Sequence, residues 1–196
     1  MEYRLDKNEL LEHMRAWDQF LKHKVHLIAC GGTAMTLLDI KPSTRDVDFM
    51  VPERNEYNYL IRQLKAIGYQ SVSGSGWRHP KDEFQFDIFR GNNIHTTELV
   101  ESPLKEGGNK ALVMLSRIYI GILNDYDLVA SKLMRGTMVD FDDCAILIKA
   151  HANDFRFETL IARFDEMLLY NTVGEDRIKQ NFDSFLSRMK EDGFYG

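Results

Sequence analysis

The chain has 196 residues, 44% of them hydrophobic and 28% charged, and carries 25 basic and 30 acidic side chains for a net charge of −5. A chain of this size buries enough surface to fold without a disulfide or metal staple, and its balanced composition excludes disordered, collagen-like and coiled-coil architectures. The acidic total argues against non-specific coating of phosphate backbones, while leaving room for a local basic cleft or for carboxylates that hold metal ions. Residues 6–24 open the chain with Leu10, Leu11, Met14, Trp17, Phe20 and Leu21 at helical spacing. Val25 to Cys30 is a short apolar run that ends in Gly31-Gly32, a strand signal. Thr33 to Asp39 predicts a short helix, and Pro42 makes 41–44 a loop. Asp46 to Val51 alternates polar and apolar residues, which predicts a strand. A second helix is predicted over 53–67, closed by Gly68.

Tyr69 to Ser73 predicts a strand, followed by a hairpin turn at Gly74-Ser75-Gly76. Phe84 to Phe89 reads as a strand with Phe84, Phe86 and Ile88 on one face and Gln85, Asp87 and Phe89 on the other. Residues 99–110 read as a polar loop and 117–123 as a last strand. Residues 125–135, 139–151, 155–170 and 174–190 each carry helical periodicity, punctuated by Gly136, Asn153 and Gly174. The expected class is therefore α/β (α+β): a core over residues 1–123, then a C-terminal helical region over 124–196 packed on it. No stretch reaches the ~18 apolar residues of a membrane helix, and the opening Met1-Glu2-Tyr3-Arg4-Leu5-Asp6-Lys7 lacks a signal-peptide core. A cytoplasmic protein without a membrane partner is expected, with Cys30 and Cys144 as buried, reduced thiols.

Two features of the first half carry chemistry. The glycine pair Gly31-Gly32 lies between a strand and a helix, where a backbone without Cβ can turn sharply and approach a ligand. The helix start that follows presents amide hydrogens suited to a phosphate. Asp46 and Asp48 stand at i and i+2 on a predicted strand, so both carboxylates share one face. Paired carboxylates repel unless a cation lies between them, and magnesium is held by one or two carboxylates together with substrate phosphates. Asp87 joins the cluster if its strand neighbours the 46–51 strand. A third carboxylate there bridges a second metal or takes the proton of an attacking hydroxyl. No Walker loop is present, and Gly74-Ser75-Gly76-Trp77 reads as a turn rather than a dinucleotide loop.

Gly-Gly, then Asp-x-Asp, then one Asp on a later strand resembles the nucleotidyltransferase superfamily related to DNA polymerase beta, a mixed sheet flanked by helices. The resemblance is strongest over residues 25–90. It implies a nucleoside triphosphate, ATP among the candidates, with its phosphates at Gly31, Gly32 and Thr33. It implies two Mg²⁺ ions, replaceable by Mn²⁺, on the catalytic carboxylates Asp46, Asp48 and Asp87. The implied reaction moves a nucleoside monophosphate to an acceptor hydroxyl and releases pyrophosphate. The acceptor stays open between RNA (a transfer-RNA end in particular), a protein and a small molecule. Asp127-Leu128-Val129-Ala130-Ser131-Lys132-Leu133 with Asp140-Phe141-Asp142-Asp143 resembles segments of minimal nucleotidyltransferases, including abortive-infection toxins. This implies phosphate contact by Lys132, with Asp140 and Asp143 as further site residues. Val139 stands where the toxins carry a basic residue.

Plainer readings accompany these. Arg45 suits a surface ion pair, Thr44 faces the same way as Asp46 toward substrate, and Lys132 suits a surface helix position. The Asp140-to-Asp143 run suits a helix cap and first turn. A fold can also persist without its chemistry. The alternative functions are a catalytically silent nucleotide- or partner-binding module and a toxin paired with a cognate antitoxin. Self-association into a homo-oligomer is a further expectation.

Overall fold

The structure is a computed structural model that describes residues 3–171 and 173–195. Met1 and Glu2 of the opening segment lie outside the described residues. The chain divides into two compact units, Met1–His95 with Glu101–Asn124, and Thr96–Val100 with Asp125–Gly196. Asn124 falls in the first of these units, and the segment Thr96–Val100 groups with the helices of the second. No helix among the described residues is long and apolar enough to cross a membrane.

The first unit holds α1 (Lys7–Phe20), β1 (Val25–Ala29), α2 (Gly31–Leu37), β2 (Val47–Val51), α3 (Arg54–Ala66), β3 (Gln70–Ser71), β4 (Gly76–Arg78), β5 (Phe86–Arg90), β6 (Asn93–Ile94), β8 (Asn109–Met114) and β9 (Ile118–Leu123). Between β6 and β8, β7 (Thr97–Glu98) falls in the other unit. Seven of these strands form one mixed sheet in the order β3-β4-β5-β2-β1-β9-β8. β1 runs antiparallel to β2 and parallel to β9, and β2 runs parallel to β5. Strands covered on both faces read as unbroken apolar runs, and β2 follows this: all five of its residues are buried, Asp48 included.

α1 begins where the sequence supplies a capping box. The Asp6 carboxylate accepts from the amides of Asn8 (2.8 Å) and Glu9 (3.0 Å), and Glu9 accepts from the Asp6 amide (2.8 Å). Its apolar stripe, Leu10, Met14 and Trp17, is buried, with Trp17 against Phe86 at 4.6 Å between ring centres. Asp18, one turn from its end, accepts from the main-chain N–H groups of Ser116 (3.3 Å), Arg117 (2.6 Å) and Ile118 (2.9 Å). The helix thereby holds the β8–β9 hairpin tip. α3 is capped at its C-terminus by Ile67, and Gly68 follows with φ +102, the left-handed closing position that glycine tolerates.

Four elements differ from the sequence expectation. α2 begins at Gly31 rather than Thr33, so the glycines are its first turn. β2 begins at Val47, and Asp46 lies in a bend before it. β8 occupies residues read as loop and connection, because an edge strand with half of its residues exposed has no strict alternation to reveal it. Trp77, read as part of the turn, lies on β4 (Gly76–Arg78), and its side chain is buried.

The second unit contains β7 and four helices: α4 (Asp125–Arg135), α5 (Met138–Ala150), α6 (Phe157–Leu168) and α7 (Glu175–Glu191). The boundaries follow their punctuation. Gly136 closes α4 with φ +68, Thr137 caps α5 in a capping box with Asp140, and Gly174 opens α7. Phe164 of α6 and Phe182 of α7 stack face to face at 3.8 Å, near the centre of a core shared with Leu128, Leu133, Leu160 and Phe185.

Candidate active site

The glycine turn and the carboxylates meet in the first unit, at the end of β1. Gly31 takes φ +56. A Cβ placed there would come closer than 3.0 Å to the Asp48 carboxylate, a separation that real Cβ atoms do not show. At Gly32 an added Cβ would lie 2.7 Å from Thr44 Oγ1. Both glycines are therefore required by the close approach of the Asp48 and Thr44 side chains, in addition to any ligand. No side chain caps the start of α2, whose N-cap is Cys30.

Two threonine hydroxyls fix the main chain that carries the carboxylates. Thr33 Oγ1 donates to the Asp46 carbonyl (3.1 Å) and accepts from the Asp48 amide (2.9 Å). Thr44 Oγ1 donates to the same Asp46 carbonyl (2.8 Å). Both threonines are buried, Thr33 completely. Thr44 is itself tied to the chain start, exchanging main-chain hydrogen bonds with Leu5 (2.8 and 2.9 Å). These two hydroxyls hold the bend at 44–48 in place.

Asp48 on β2 and Asp87 on β5 are register partners in the parallel pair. Residues paired in register on adjacent strands share a face and stand side by side. Asp87 accepts from Ser75 Oγ (3.0 Å at Oδ1) and from Gln85 Nε2 (3.4 Å at Oδ2). Ser75 and Gln85 are partners of Asp87 that sequence reasoning missed. Gln85 had a signal, because it stands two residues before Asp87 on the same predicted face; Ser75 had only its place in a turn. Asp46, in the bend, is turned to Arg45: Nε and Nη2 of Arg45 each lie 3.3 Å from one of its carboxylate oxygens, and both side chains are more than half exposed.

Asp48 and Asp87 are thus register partners on adjacent strands, while Asp46 pairs with Arg45 in the bend. Among the described residues no group of three His, Cys, Asp or Glu side chains is placed to hold a metal ion. The donor set itself, three carboxylates with only oxygen donors, is the kind magnesium takes. The Asp48–Asp87 pair supplies two of those donors side by side.

Lys132, Asp140 and Asp143 lie in the second unit. Lys132 is no surface lysine: it is 4% exposed, with Nζ 2.7 Å from Asp143 and 3.7 Å from Asp140. Arg135 closes the cluster through Nε on Asp140 (2.8 Å) and a second, shorter contact between its Nη2 and the other Asp140 oxygen. Asp140 also accepts from the Thr137 hydroxyl (2.7 Å). Burial alone would raise the Asp140 pKa. The hydrogen bonds from Arg135 and Thr137, with the charges of Arg135 and Lys132, outweigh it and hold the carboxyl below its ordinary range. Cys144, buried beside this cluster, has its thiol pKa pushed far up by desolvation.

No family model and no curated protein sequence matches the chain. Several solved structures are similar to it. ANT(2″)-Ia in complex with adenylyl-2″-tobramycin is 13% identical, with a TM-score of 0.45 and coverage of 91% of this chain and 96% of that one. An antigenic nucleotidyltransferase-like protein from Paracoccidioides brasiliensis is 14% identical, with a TM-score of 0.48 and coverage of 90% and 95%. MenT4, a nucleotidyltransferase toxin from Mycobacterium tuberculosis H37Rv, is 16% identical, with a TM-score of 0.42 and coverage of 81% of this chain and 63% of that one.

Proposed function

We propose that this chain is a metal-dependent nucleotidyltransferase that moves a nucleoside monophosphate from a nucleoside triphosphate to an acceptor hydroxyl. The observation that carries the reading is the register pairing of Asp48 with Asp87 beside the Gly31-Gly32 turn, on a main chain clamped by Thr33 and Thr44. Asp48 and Asp87, completed by Asp46, are the residues that would hold Mg²⁺. Bound there, the ion supplies charge stabilisation for the phosphates and for the leaving pyrophosphate.

The chain's own groups divide the remaining work. The main chain at Gly31, Gly32 and Thr33 receives the triphosphate. Thr33 keeps Asp48 pressed against Gly31. Ser75 and Gln85 orient Asp87, which takes the proton of the acceptor hydroxyl. Lys132 we assign to the ion-pair network of the helical unit, because Asp143 and Asp140 already surround its ammonium. The acceptor belongs to one of three classes: RNA, a protein hydroxyl or a small molecule.

The test is transfer of label from each nucleoside triphosphate, with Mg²⁺ or Mn²⁺, into fractions of a cell extract. Label that appears in one fraction, and disappears with Asp48→Asn and with Asp87→Asn, supports the reading and names the acceptor class. Equal transfer by wild type and Asp48→Asn would overturn it.

A second reading is favoured by one observation, the engagement of Asp46 with Arg45. In it the fold binds nucleotide or a partner without turnover. Nucleotide binding with no pyrophosphate release at any metal concentration would select it. A toxin role, neutralised by a cognate antitoxin, predicts growth arrest on expression that Asp48→Asn relieves.

A further inference from the structure

A cavity of about 190 Å³ opens at the end of the sheet where β1 begins. The five residues of β1 separate it from Gly31 by roughly 17 Å. Its walls follow from sheet register. His26 of β1 pairs with Tyr119 of β9, and Tyr119 pairs with Met114 of β8, so these three side chains form a row across one face. Lys24 and Arg117, each two residues earlier than His26 and Tyr119, stand in the next row toward the strand ends, and Ser116 completes the rim.

Both rings are held in place. The His26 amide donates to Glu56 Oε2 (2.8 Å), and its Nδ1 lies 3.0 Å from both Glu56 oxygens. The Tyr119 hydroxyl donates to Asn109 Oδ1 (2.5 Å). Its ring lies along the strand over Gly121, where an added Cβ would come within 2.9 Å of Tyr119 Cε1. The missing side chain at Gly121 lets the Tyr119 ring lie away from Arg117, which keeps the cavity open.

Two exposed cations line this end. Lys24 and Arg117 are exposed, and neither has a carboxylate partner among the described residues. The two acids that touch the walls are engaged, Glu56 with His26 and Asp18 with three consecutive main-chain N–H groups at 116–118. A cavity this small is below the range for a drug-sized ligand. Two cations above a polar, ring-lined floor suit a doubly charged tetrahedral oxoanion, which takes several charge-assisted hydrogen bonds at once.

We infer that this cavity binds a phosphate group, presented either as inorganic phosphate or as the 5′-phosphate of a mononucleotide whose nucleoside extends outside the cavity. The site is separate from the one at Gly31 and does not depend on the nucleotidyltransferase reading. The test is amide-resolved NMR on the full chain, titrated with inorganic phosphate and, separately, with AMP at constant ionic strength. Saturable shifts at residues 24–26 and 116–119 are expected for at least one ligand. The Lys24→Ala/Arg117→Ala double variant should weaken that binding ten-fold or more, and Lys81→Ala should leave it unchanged. Tighter binding of AMP than of inorganic phosphate assigns the nucleotide; equal binding of the two ligands assigns the phosphate alone. Non-saturating shifts with both ligands, or binding unaffected by the double variant, would overturn the inference.

Discussion

Replacing Gly31 with alanine tests the geometry of the candidate site without reference to any activity. Two costs add. Gly31 sits at φ +56, where an L-residue loses about 1–2 kcal/mol. The new methyl would also displace the Asp48 carboxylate, and overpacking of this kind costs ~1–3 kcal/mol. Together they predict a loss of about 3 kcal/mol, or a fall in Tm of roughly 6–12 °C at ~2–4 °C per kcal/mol for a chain of this length. Gly32→Ala incurs only the second cost, against Thr44 Oγ1, and should lose ~1–2 kcal/mol. The assay is urea denaturation of wild type, Gly31→Ala, Asp48→Ala and the double variant. In that cycle Asp48→Ala should remove the packing part of the Gly31→Ala loss and leave the backbone part. A Gly31→Ala protein within ~0.5 kcal/mol of wild type, or a cycle with no coupling, would refute the placement of Asp48 against the turn.

Four further outcomes are expected. Thr33→Val removes the hydroxyl shared by the Asp46 carbonyl and the Asp48 amide, so urea denaturation should show a loss of ~1–3 kcal/mol, where Thr36→Val, which breaks one hydrogen bond to Gly32 within its own helix, loses less. Lys132→Met leaves the buried Asp143 carboxylate without its Lys132 partner and should cost ~3–5 kcal/mol; adding Asp143→Leu should recover part of it. Asp140 has a folded pKa below its unfolded value of about 3.9, so its contribution is complete above that pH and is lost as pH falls through the folded pKa. The stability gap between wild type and Asp140→Asn, measured from pH 7 down to pH 2, should therefore narrow only at the acid end; a gap that is constant across the range would contradict the assignment. Cys30 and Cys144 are both fully buried, and the Cys144 thiol is strongly disfavoured as thiolate, so a thiol reagent should label neither in the native protein and both in denaturant.

Much of the fold was legible because its signals are local. The apolar stripe of α1, the Gly68 closure of α3 and the four C-terminal helices rest on periodicity and end residues, which a sequence displays directly. The Asp48–Asp87 pairing was legible as a condition, namely that the two strands be neighbours, and the parallel β2–β5 ladder meets it. The rest depended on contacts between distant residues. β8 is an edge strand with a mixed exposure pattern, so no period marks it. The bend at Asp46 is imposed by Thr33, Thr44 and the Leu5 bridge, and no property of the 44–48 segment alone announces it. Lys132 looks like an exposed helical cation until α5 supplies its two aspartates.

The tie between Asp18 and the β8–β9 hairpin tip spans one hundred residues, and the parallel β1–β9 ladder closes over a similar length of chain. At ~5–20 residues per second of synthesis, Asp18 waits about 5–20 s for its partners to be made. Until β9 is made, β1, one of the most apolar strands of the molecule, has no neighbour on its β9 side. The corner that joins Gly31 to Asp48 and Asp87 needs none of the later chain, so it can assemble on a half-built sheet whose open edge is an aggregation template. Temperature, translation speed and holdase chaperones should therefore govern the yield of this protein more than its final stability does.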